Sequence, residues 1–138
     1  MSYAQISDLK ERLGASFDAV YDALEEAAPG NDLESACAEI DCALACRYAM
    51  PVQGTRSAAL LKDWNLTLAE ERAYARCAGN TFADKVRLRV EQVRKYLELI
   101  RTDRFRLPDA QEKSGTGAGI SFLRNEKPVF TRDTMKKF

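Results

Sequence analysis

The stretch from Ala36 to Pro51 has little polar surface, and this limits the folds open to the chain. On a helical spacing of 100° per residue, its larger apolar side chains fall on one wide stripe, and the opposite side carries only small residues. The stripe contains Leu33, Ala36, Cys37, Ile40, Ala43, Leu44 and Tyr48, with Arg47 inside it, and the small side contains Ala38, Cys42, Ala45, Cys46 and Ala49. A helix that is apolar nearly all round is buried on more than one side. The sequence therefore predicts that this helix, ended by Pro51, is either the central helix of a bundle or a helix at a subunit interface.

The residues before this stretch predict two shorter helices. A first helix within residues 1–14 ends at Gly14, since glycine commonly ends helices. A strongly acidic amphipathic helix follows from Ser16 to Ala28. Pro29 to Asp32 reads as a turn, and within it Asn31 has the spacing of an N-terminal cap for the central helix.

Two longer helices are predicted after Pro51. Arg56 to Ala78 is mostly helical, but the capping-box spacing of Thr67 and Glu70 leaves open whether it is one helix or two. The clearest helix runs from Thr81 to Asp103, without internal glycine or proline. Its apolar stripe is Phe82, Val86, Val90, Val93, Tyr96, Leu97 and Ile100.

These elements predict an all-α fold, a small bundle of four to five helices with an extended C-terminal arm. Residues 1–108 form the helical domain, residues 109–119 a polar, glycine-rich flexible linker, and residues 120–138 the arm. The structural core is expected to include Ile40, Leu44, Tyr48, Trp64, Val93 and Leu97.

The arm (residues 120–138) is expected to dock on protein rather than remain solvated, because it carries three phenylalanines. Docking on its own domain, exchange between copies and disorder until a partner binds all remain open. The predicted partner-binding residues are Phe130, Arg132, Asp133, Met135, Phe138 and Arg47. Arg47 could alternatively bind helix-terminal carbonyls, a structural capping role that its place near the helix end favours.

Charge is balanced overall but divided along the chain. Residues 1–46 hold two basic and ten acidic side chains, and residues 47–138 hold nineteen basic and eleven acidic ones, so the two parts carry −8 and +8. The two parts could pack on each other within one fold, join neighbouring copies head to tail, or bind nucleic acid through the basic part. The sequence has no apolar run long enough for a membrane span and no signal-peptide pattern at its start, so a cytoplasmic protein without membrane contact is expected.

The residue types that most often perform catalysis or bind metals are scarce. The chain has no histidine, and its four cysteines, Cys37, Cys42, Cys46 and Cys77, lack C-x-x-C spacing. Without histidine, the commonest general base and metal ligand are missing. We therefore expect that the protein is not an enzyme and that it has no catalytic site, metal site or cofactor. We expect the cysteines to act as small buried apolar residues. A hydrolase-like or enzyme-accessory role ranks last.

The basic stretch 81–106 is the basis for an alternative function. Its eight basic side chains outnumber four acidic ones, so it could neutralise nucleic-acid phosphates, as in a small DNA-binding regulator. However, basic and acidic residues alternate at helical spacing, as in Arg87 with Glu91 and Arg94 with Glu98. A solvated helix face that pairs its own charges is therefore the favoured interpretation.

Four motifs together resemble one family. They are Asp-Leu-Lys-Glu-Arg-Leu-Gly at residues 8–14, Ala36-x3-Ile40-Asp41-x2-Leu44-x2-Arg47-Tyr48-x2-Pro51, Val93-x2-Tyr96-Leu97-x2-Ile100, and Val-Phe-Thr-Arg-Asp-Thr-Met-x2-Phe at residues 129–138. They resemble the small structural proteins of Mu-like phages and prophages, which are similar to phage head–tail connector (head completion, adaptor) proteins. The unusually acidic second segment and the cysteine-rich central helix depart from that pattern.

The resemblance implies a subunit that joins head to tail by oligomerisation and protein–protein contacts. Its implied partners are portal, tail or neck proteins and further copies of itself, with no requirement for nucleic acid. Its implied location is the host cytoplasm during assembly and afterwards the virion.

Overall fold

The fold is a bundle of five α-helices, seen in a computed structural model that describes residues 2–22, 24–76 and 81–113. The helices are α1 (Ile6–Leu13), α2 (Ser16–Tyr21), α3 (Ala28–Leu44), α4 (Thr55–Ala75) and α5 (Thr81–Arg101). This confirms the predicted all-α bundle. The arm, with the predicted partner-binding residues Phe130, Arg132, Asp133, Met135 and Phe138, lies outside the described residues, as does most of the predicted linker.

The central helix of the bundle is α4. Seven consecutive residues, Trp64 to Glu70, are buried, and each of the other four helices packs against α4. The prediction that the helix of Ala36–Pro51 is the central one is therefore wrong, while its alternative as an interface helix stays a prediction. The continuous α4 also answers whether this segment is one helix or two. Thr67 donates its hydroxyl to the Asp63 carbonyl at 2.9 Å, one turn back, instead of capping a new helix.

Helix α3 begins earlier and ends earlier than predicted. It starts at Ala28 with Pro29 in its first turn, so the predicted turn at 29–32 and the cap at Asn31 are wrong. Proline fits the first turn of a helix because an N–H there would have no helical partner. At the other end, α3 stops at Leu44, seven residues before Pro51, and the chain continues in turns up to Tyr48. Proline is thus not what ends this helix.

The N-terminal helices lie beside α4 and the start of α3. Helix α1 ends at Gly14, as predicted, where a φ of 56° favours glycine. Helix α2 ends at Tyr21, so the predicted helix to Ala28 is too long. The Tyr21 hydroxyl donates to Asp32 of α3 at 2.8 Å, and this buried carboxylate also accepts from Arg76 at 2.7 Å. This contact fixes α2 to α3 and to the end of α4.

The core lies between α4 and the apolar faces of the other helices. The six expected core residues are buried: Ile40, Leu44, Tyr48, Trp64, Val93 and Leu97. The Trp64 ring stacks on Tyr96 with centroids 5.8 Å apart, and Phe105 packs on both rings. On α5, the stripe Val86, Val90, Val93, Leu97 and Ile100 is buried, while Leu88 on the other side is 73% exposed.

The small side of α3 and the turn after it face solvent rather than other described residues. Ala38, Cys42, Cys46 and Ala49 are exposed, and Ala45 is half-buried. The expectation of buried cysteines therefore holds for Cys37 and is wrong for Cys42 and Cys46, while Cys77 lies outside the described residues. Small side chains expose little apolar area, so leaving this side uncovered costs little hydrophobic free energy.

A membrane-spanning helix would need a long, strongly apolar run, and none of the helices in the described ranges has one.

Candidate interaction site

The candidate site lies near the C-terminal ends of α3 and α5 and the N-terminus of α4, where the last described residues pack on the helices. We call it the exit cluster: Arg47, Tyr48, Ser57, Asp103, Leu107, Asp109 and residues 111–113. Most of its contacts join residues about 50 or more positions apart in the sequence. The cluster contains Arg47-Tyr48, which forms part of the family resemblance.

Arg47 binds the end of α5. Its Nε donates to the Ile100 carbonyl at 3.3 Å, and its Nη1 lies 2.8 Å from Asp103 Oδ1. A guanidinium is suited to satisfying free carbonyls at a helix C-terminus. Arg47 thus binds a carbonyl near a helix end, as the capping interpretation predicts. The carbonyl belongs to α5, however, and not to the helix that precedes Arg47. The side chain is only 17% exposed, so most of the predicted partner-binding group is engaged within the chain.

Tyr48 connects the core to the segment after α5. Its side chain is almost fully buried, and its hydroxyl accepts the backbone N–H of Leu107 at 2.8 Å. Leu107 is also buried, so this N–H would otherwise lack a partner. Tyr48 thus fixes the path of the chain where it turns back from α5.

Asp109 caps helix α4 from a position 52 residues later in the chain. Its Oδ1 accepts the Ser57 N–H at 2.8 Å and also the Ser57 hydroxyl, and its Oδ2 accepts the Arg56 N–H at 2.9 Å. These hydrogen bonds, that of Ser57 above all, hold the pKa of Asp109 below its usual value. Gly54 makes room for the contact, because a Cβ there would stand 2.5 Å from Asp109 Oδ1.

Residues 111–113 run back along the turn that follows α3. The Ala49 N–H donates to the Gln111 carbonyl at 3.1 Å, and the Lys113 N–H donates to the Arg47 carbonyl at 2.9 Å. Tyr48 and Glu112 thereby form an isolated antiparallel bridge. The sequence places the start of a flexible linker at residue 109, whereas residues 109–113 are bound to the helical domain. Within the described residues, the helical domain therefore extends to Lys113.

The arginines of α5 and of the segment after it are largely paired with acidic side chains. Arg94 binds Glu71 at 2.7 Å and Glu39 at 3.0 Å, which joins α5 to α4 and α3. The further pairs are Arg87 with Glu91, Arg89 with Glu70, Arg101 with Glu98, and Arg106 with Asp103 and Glu112. Predicted pairing within α5 is present at Arg87, while Arg94 pairs with other helices instead. This surface therefore presents less free positive charge than its composition suggests.

Glu39 on α3, which is half-buried, and Glu70 on α4, which is buried, have pKa values shifted in opposite directions. Burial tends to raise the pKa of Glu39, but hydrogen bonds from Arg94 and Arg72 outweigh it and lower the pKa below its usual value. Burial raises the pKa of Glu70, because Arg12 and Arg89 offset it only in part. Glu70 is 3% exposed, and its Oε2 lies 3.4 Å from Arg89 without making a hydrogen bond. Glu39 is thus a favourable ion-pair centre and Glu70 a costly one.

Asp41, another residue of the resemblance, binds the N-terminal segment. It accepts hydrogen bonds from the Tyr3 hydroxyl and, at 3.6 Å, from the Cys37 thiol. Burial, helped by the Asp41 charge, raises the pKa of Cys37 to about 11, so the thiol stays protonated at neutral pH. A protonated buried thiol is a poor nucleophile. Within the described ranges, no three potential ligands from His, Cys, Asp and Glu come together to hold a metal ion.

The sequence missed Asp109, Ser57 and Leu107 as members of the site. Pro108-Asp109 reads as the start of a loop, and no local pattern shows that the aspartate caps a helix 52 residues earlier. One sequence signal for this cap is Gly54, the residue before α4. Glycine has no side chain that could accept the first N–H groups of the helix, so α4 needs an acceptor from elsewhere in the chain.

The fold and the exit cluster define a small all-α domain that holds the start of a C-terminal extension at one point. Residues 3–121 match the family described as Bacteriophage Mu, Gp36, and the protein therefore belongs to that family. The match confirms the predicted Mu-like phage origin. It includes the exit cluster but not the motif at residues 129–138. No curated protein matches the chain.

Proposed function

We propose that this protein is a virion assembly protein, a head–tail connector subunit that acts by oligomerisation and protein–protein contacts. The observation that carries the proposal is membership of the Mu Gp36 family over residues 3–121. The partners we propose are portal, tail or neck proteins and further copies of the chain. The protein would assemble in the host cytoplasm, remain in the virion, and need neither a membrane nor nucleic acid.

The exit cluster supports an assembly role. A segment that ties subunits together works best when it starts from a defined point, because less conformational freedom is then lost on binding. Arg47, Tyr48 and Asp109 provide that point through contacts to α5, Leu107 and α4. The apolar residues of the arm follow in the sequence after Lys113.

Association rather than catalysis also fits the chemistry of the described residues. Acidic side chains such as Glu39, Asp32 and Asp109 are engaged in ion pairs or helix capping. We therefore propose that the protein is not an enzyme.

The nucleic-acid-binding alternative is less well supported. The arginines Arg87, Arg89 and Arg94 contact glutamates, and displacing those glutamates would offset part of the gain from binding phosphate. A titration with duplex DNA at increasing salt separates the two functions. A stable monomer whose DNA affinity falls steeply with salt would support the regulator and contradict the connector.

The test of the connector proposal is the molar mass of the protein in solution with and without residues 121–138. We expect the full chain to exceed the monomer mass as concentration rises, and the shortened chain to assemble more weakly. The far-UV circular dichroism of the two should be nearly equal, since the described helices end at Arg101. A full chain that stays monomeric at every concentration, alone and with portal or neck proteins, would contradict the proposal.

A further inference from the structure

A second surface, at the end of the domain opposite the exit cluster, forms a groove. It has a volume of about 410 Å³ and lies between α1, α2 and the start of α3. Its apolar part is formed by Ile6, Phe17, Tyr21 and Pro29. The Ile6 side chain in it is 45% exposed. The groove thus offers apolar contact that the described residues do not use.

The groove is surrounded by negative charge. Asp18, Asp22, Glu25 and Glu26 line it, together with one basic side chain, Lys10, which lies 5.8 Å from the centre of the Phe17 ring. These five side chains carry a net charge of −3. A ligand for this groove should therefore combine apolar side chains with positive charge.

The last twelve residues of the chain have that combination. Residues 127–138 carry four basic side chains and one acidic one, a net charge of +3 that complements the groove. Their apolar residues are Val129, Phe130, Met135 and Phe138. By contrast, residues 120–126 carry one basic and one acidic side chain and are neutral, so the complementarity belongs to the final part of the arm.

The groove and Lys113 lie at opposite ends of α3: the groove is at its start and Lys113 is beyond its end, so about 26 Å of helix separates them, at about 1.5 Å per residue. The thirteen residues 114–126 can span up to about 47 Å, which is enough to reach a groove at that distance on the same copy or on a neighbour. The proposed assembly selects the neighbour. A domain that gives a segment at one end and receives one at the other joins copies head to tail, the arrangement that closes into rings.

We propose that the groove between α1, α2 and α3 binds residues 127–138 of a neighbouring copy. This rests on the proposed function, because it requires that copies assemble. It assigns the acidic N-terminal part and the basic C-terminal part of the chain to opposite sides of one repeated contact. It also gives the shortness of α2 a role, since a helix continuing to Ala28 would change the wall that Glu25 and Glu26 form.

A charge-exchange experiment on the full chain tests the proposal. The groove variant carries Asp22→Lys with Glu25→Lys, and the segment variant carries Lys136→Glu with Lys137→Glu. Each variant alone should associate at least about tenfold more weakly than wild type, because like charges then face each other. An equimolar mixture should regain assembly, since the reversed groove accepts the reversed segment and the two unchanged partners also match. Molar mass by light scattering is the measurement.

The matched control is Glu11→Lys with Glu34→Lys, which makes the same charge change on exposed residues outside the groove. It should assemble as wild type does, and far-UV circular dichroism should show folded domains in every variant. The segment variant keeps the test valid if the groove variant does not fold, because it leaves the helical domain unchanged.

The outcomes separate this proposal from the connector function. If wild type assembles and either variant assembles equally well, the groove contact is wrong and the connector function stands. If only a chain with all four substitutions regains wild-type behaviour and the mixture does not, the segment binds its own domain and the proposal is wrong. A wild type that is monomeric alone but joins portal or neck proteins would overturn the groove contact only, and one that is monomeric under both conditions would overturn both.

Discussion

At the scale of single residues, long-range polar contacts fix how this domain closes. Tyr48 receives the N–H of Leu107, Asp109 caps α4, and Arg47 binds the end of α5. The Ile100 carbonyl also accepts the Asp103 N–H at 3.2 Å, but losing Tyr48 or Asp109 would leave a buried or helix-terminal N–H without its acceptor. The cost of losing such a partner exceeds the gain from forming it, because the orphaned group stays away from water.

Tyr48→Phe tests this at the most buried of these contacts. The substitution keeps the ring in the core and leaves the N–H of Leu107 without its acceptor. We expect a loss of about 1–3 kcal/mol in the free energy of unfolding, measured by denaturant titration. Tyr96→Phe, on a half-buried ring of the same core, is the control and should change stability less. Equal effects would show that the Leu107 bond contributes nothing particular.

The two glutamates Glu39 and Glu70 predict opposite dependences on pH. The lowered pKa of Glu39 means that its stabilisation is present above the pKa of the unfolded chain and is lost as the pH falls. The raised pKa of Glu70 means that the folded state favours the protonated form, so Glu70 lowers stability as the pH rises through the unfolded value.

Glu39→Gln should therefore lower the melting temperature at pH 7. The expected loss of unfolding free energy is only roughly 1 kcal/mol, since the partners Arg72 and Arg94 are partly exposed. Glu70→Gln should leave the melting temperature unchanged or raise it. Both differences from wild type should shrink as the pH falls through the pKa values of these glutamates in the folded and unfolded chains, because Glu39 and Glu70 then become protonated in both states. Thermal melts at several pH values measure this, and equal destabilisation by the two variants at pH 7 would contradict it.

At the scale of helices, what distinguishes the elements is which faces they bury. Helix α5 has one apolar stripe and one solvated face, as its periodicity predicts. Helix α4 is buried over seven consecutive residues that include Asn65, Thr67 and Glu70. Polar residues inside a buried helix lower its apparent amphipathicity, and for this reason the sequence pattern pointed to α3 as the central helix instead.

Two leucines on α5 provide a matched comparison of its faces. Leu97→Ala should lower the unfolding free energy by about 2–5 kcal/mol, because it leaves a cavity in the core. Leu88→Ala, on the exposed face, should change it by no more than about 0.5 kcal/mol. Chemical denaturation of both variants measures the difference. A large effect at Leu88 in the assembled protein but not at low concentration would place that leucine in a contact between copies.

At the scale of the whole molecule, the helical domain extends further along the chain than the last helix. Residues 107–113 cap α4, bury Leu107 and pair with the turn after α3. These residues therefore belong to the folded unit. Charge is likewise arranged over the whole chain, with an acidic groove near the N-terminal helices and basic residues towards the C-terminus.

Two truncations test the extent of the domain. Ending the chain after Lys113 should preserve the helix content and the melting temperature. Ending it after Arg106 should destabilise the domain by at least about 1.5 kcal/mol, the value of burying one leucine, with the loss of the α4 cap in addition. Thermal melts followed by circular dichroism compare them. If both truncated chains melt like the full chain, residues 107–113 are not part of the folded unit.

Features that depend only on neighbours along a helix could be predicted from the sequence. Periodicity predicted the all-α class and the stripe of α5, and Gly14 predicted the end of α1. Three features became visible only in the folded chain: α4 is central, Asp109 caps it, and the small side of α3 is exposed. The reason is physical: an amphipathic pattern is set by residues three or four apart, whereas a buried polar group or a missing cap is satisfied by whichever distant residue the fold brings within hydrogen-bond reach.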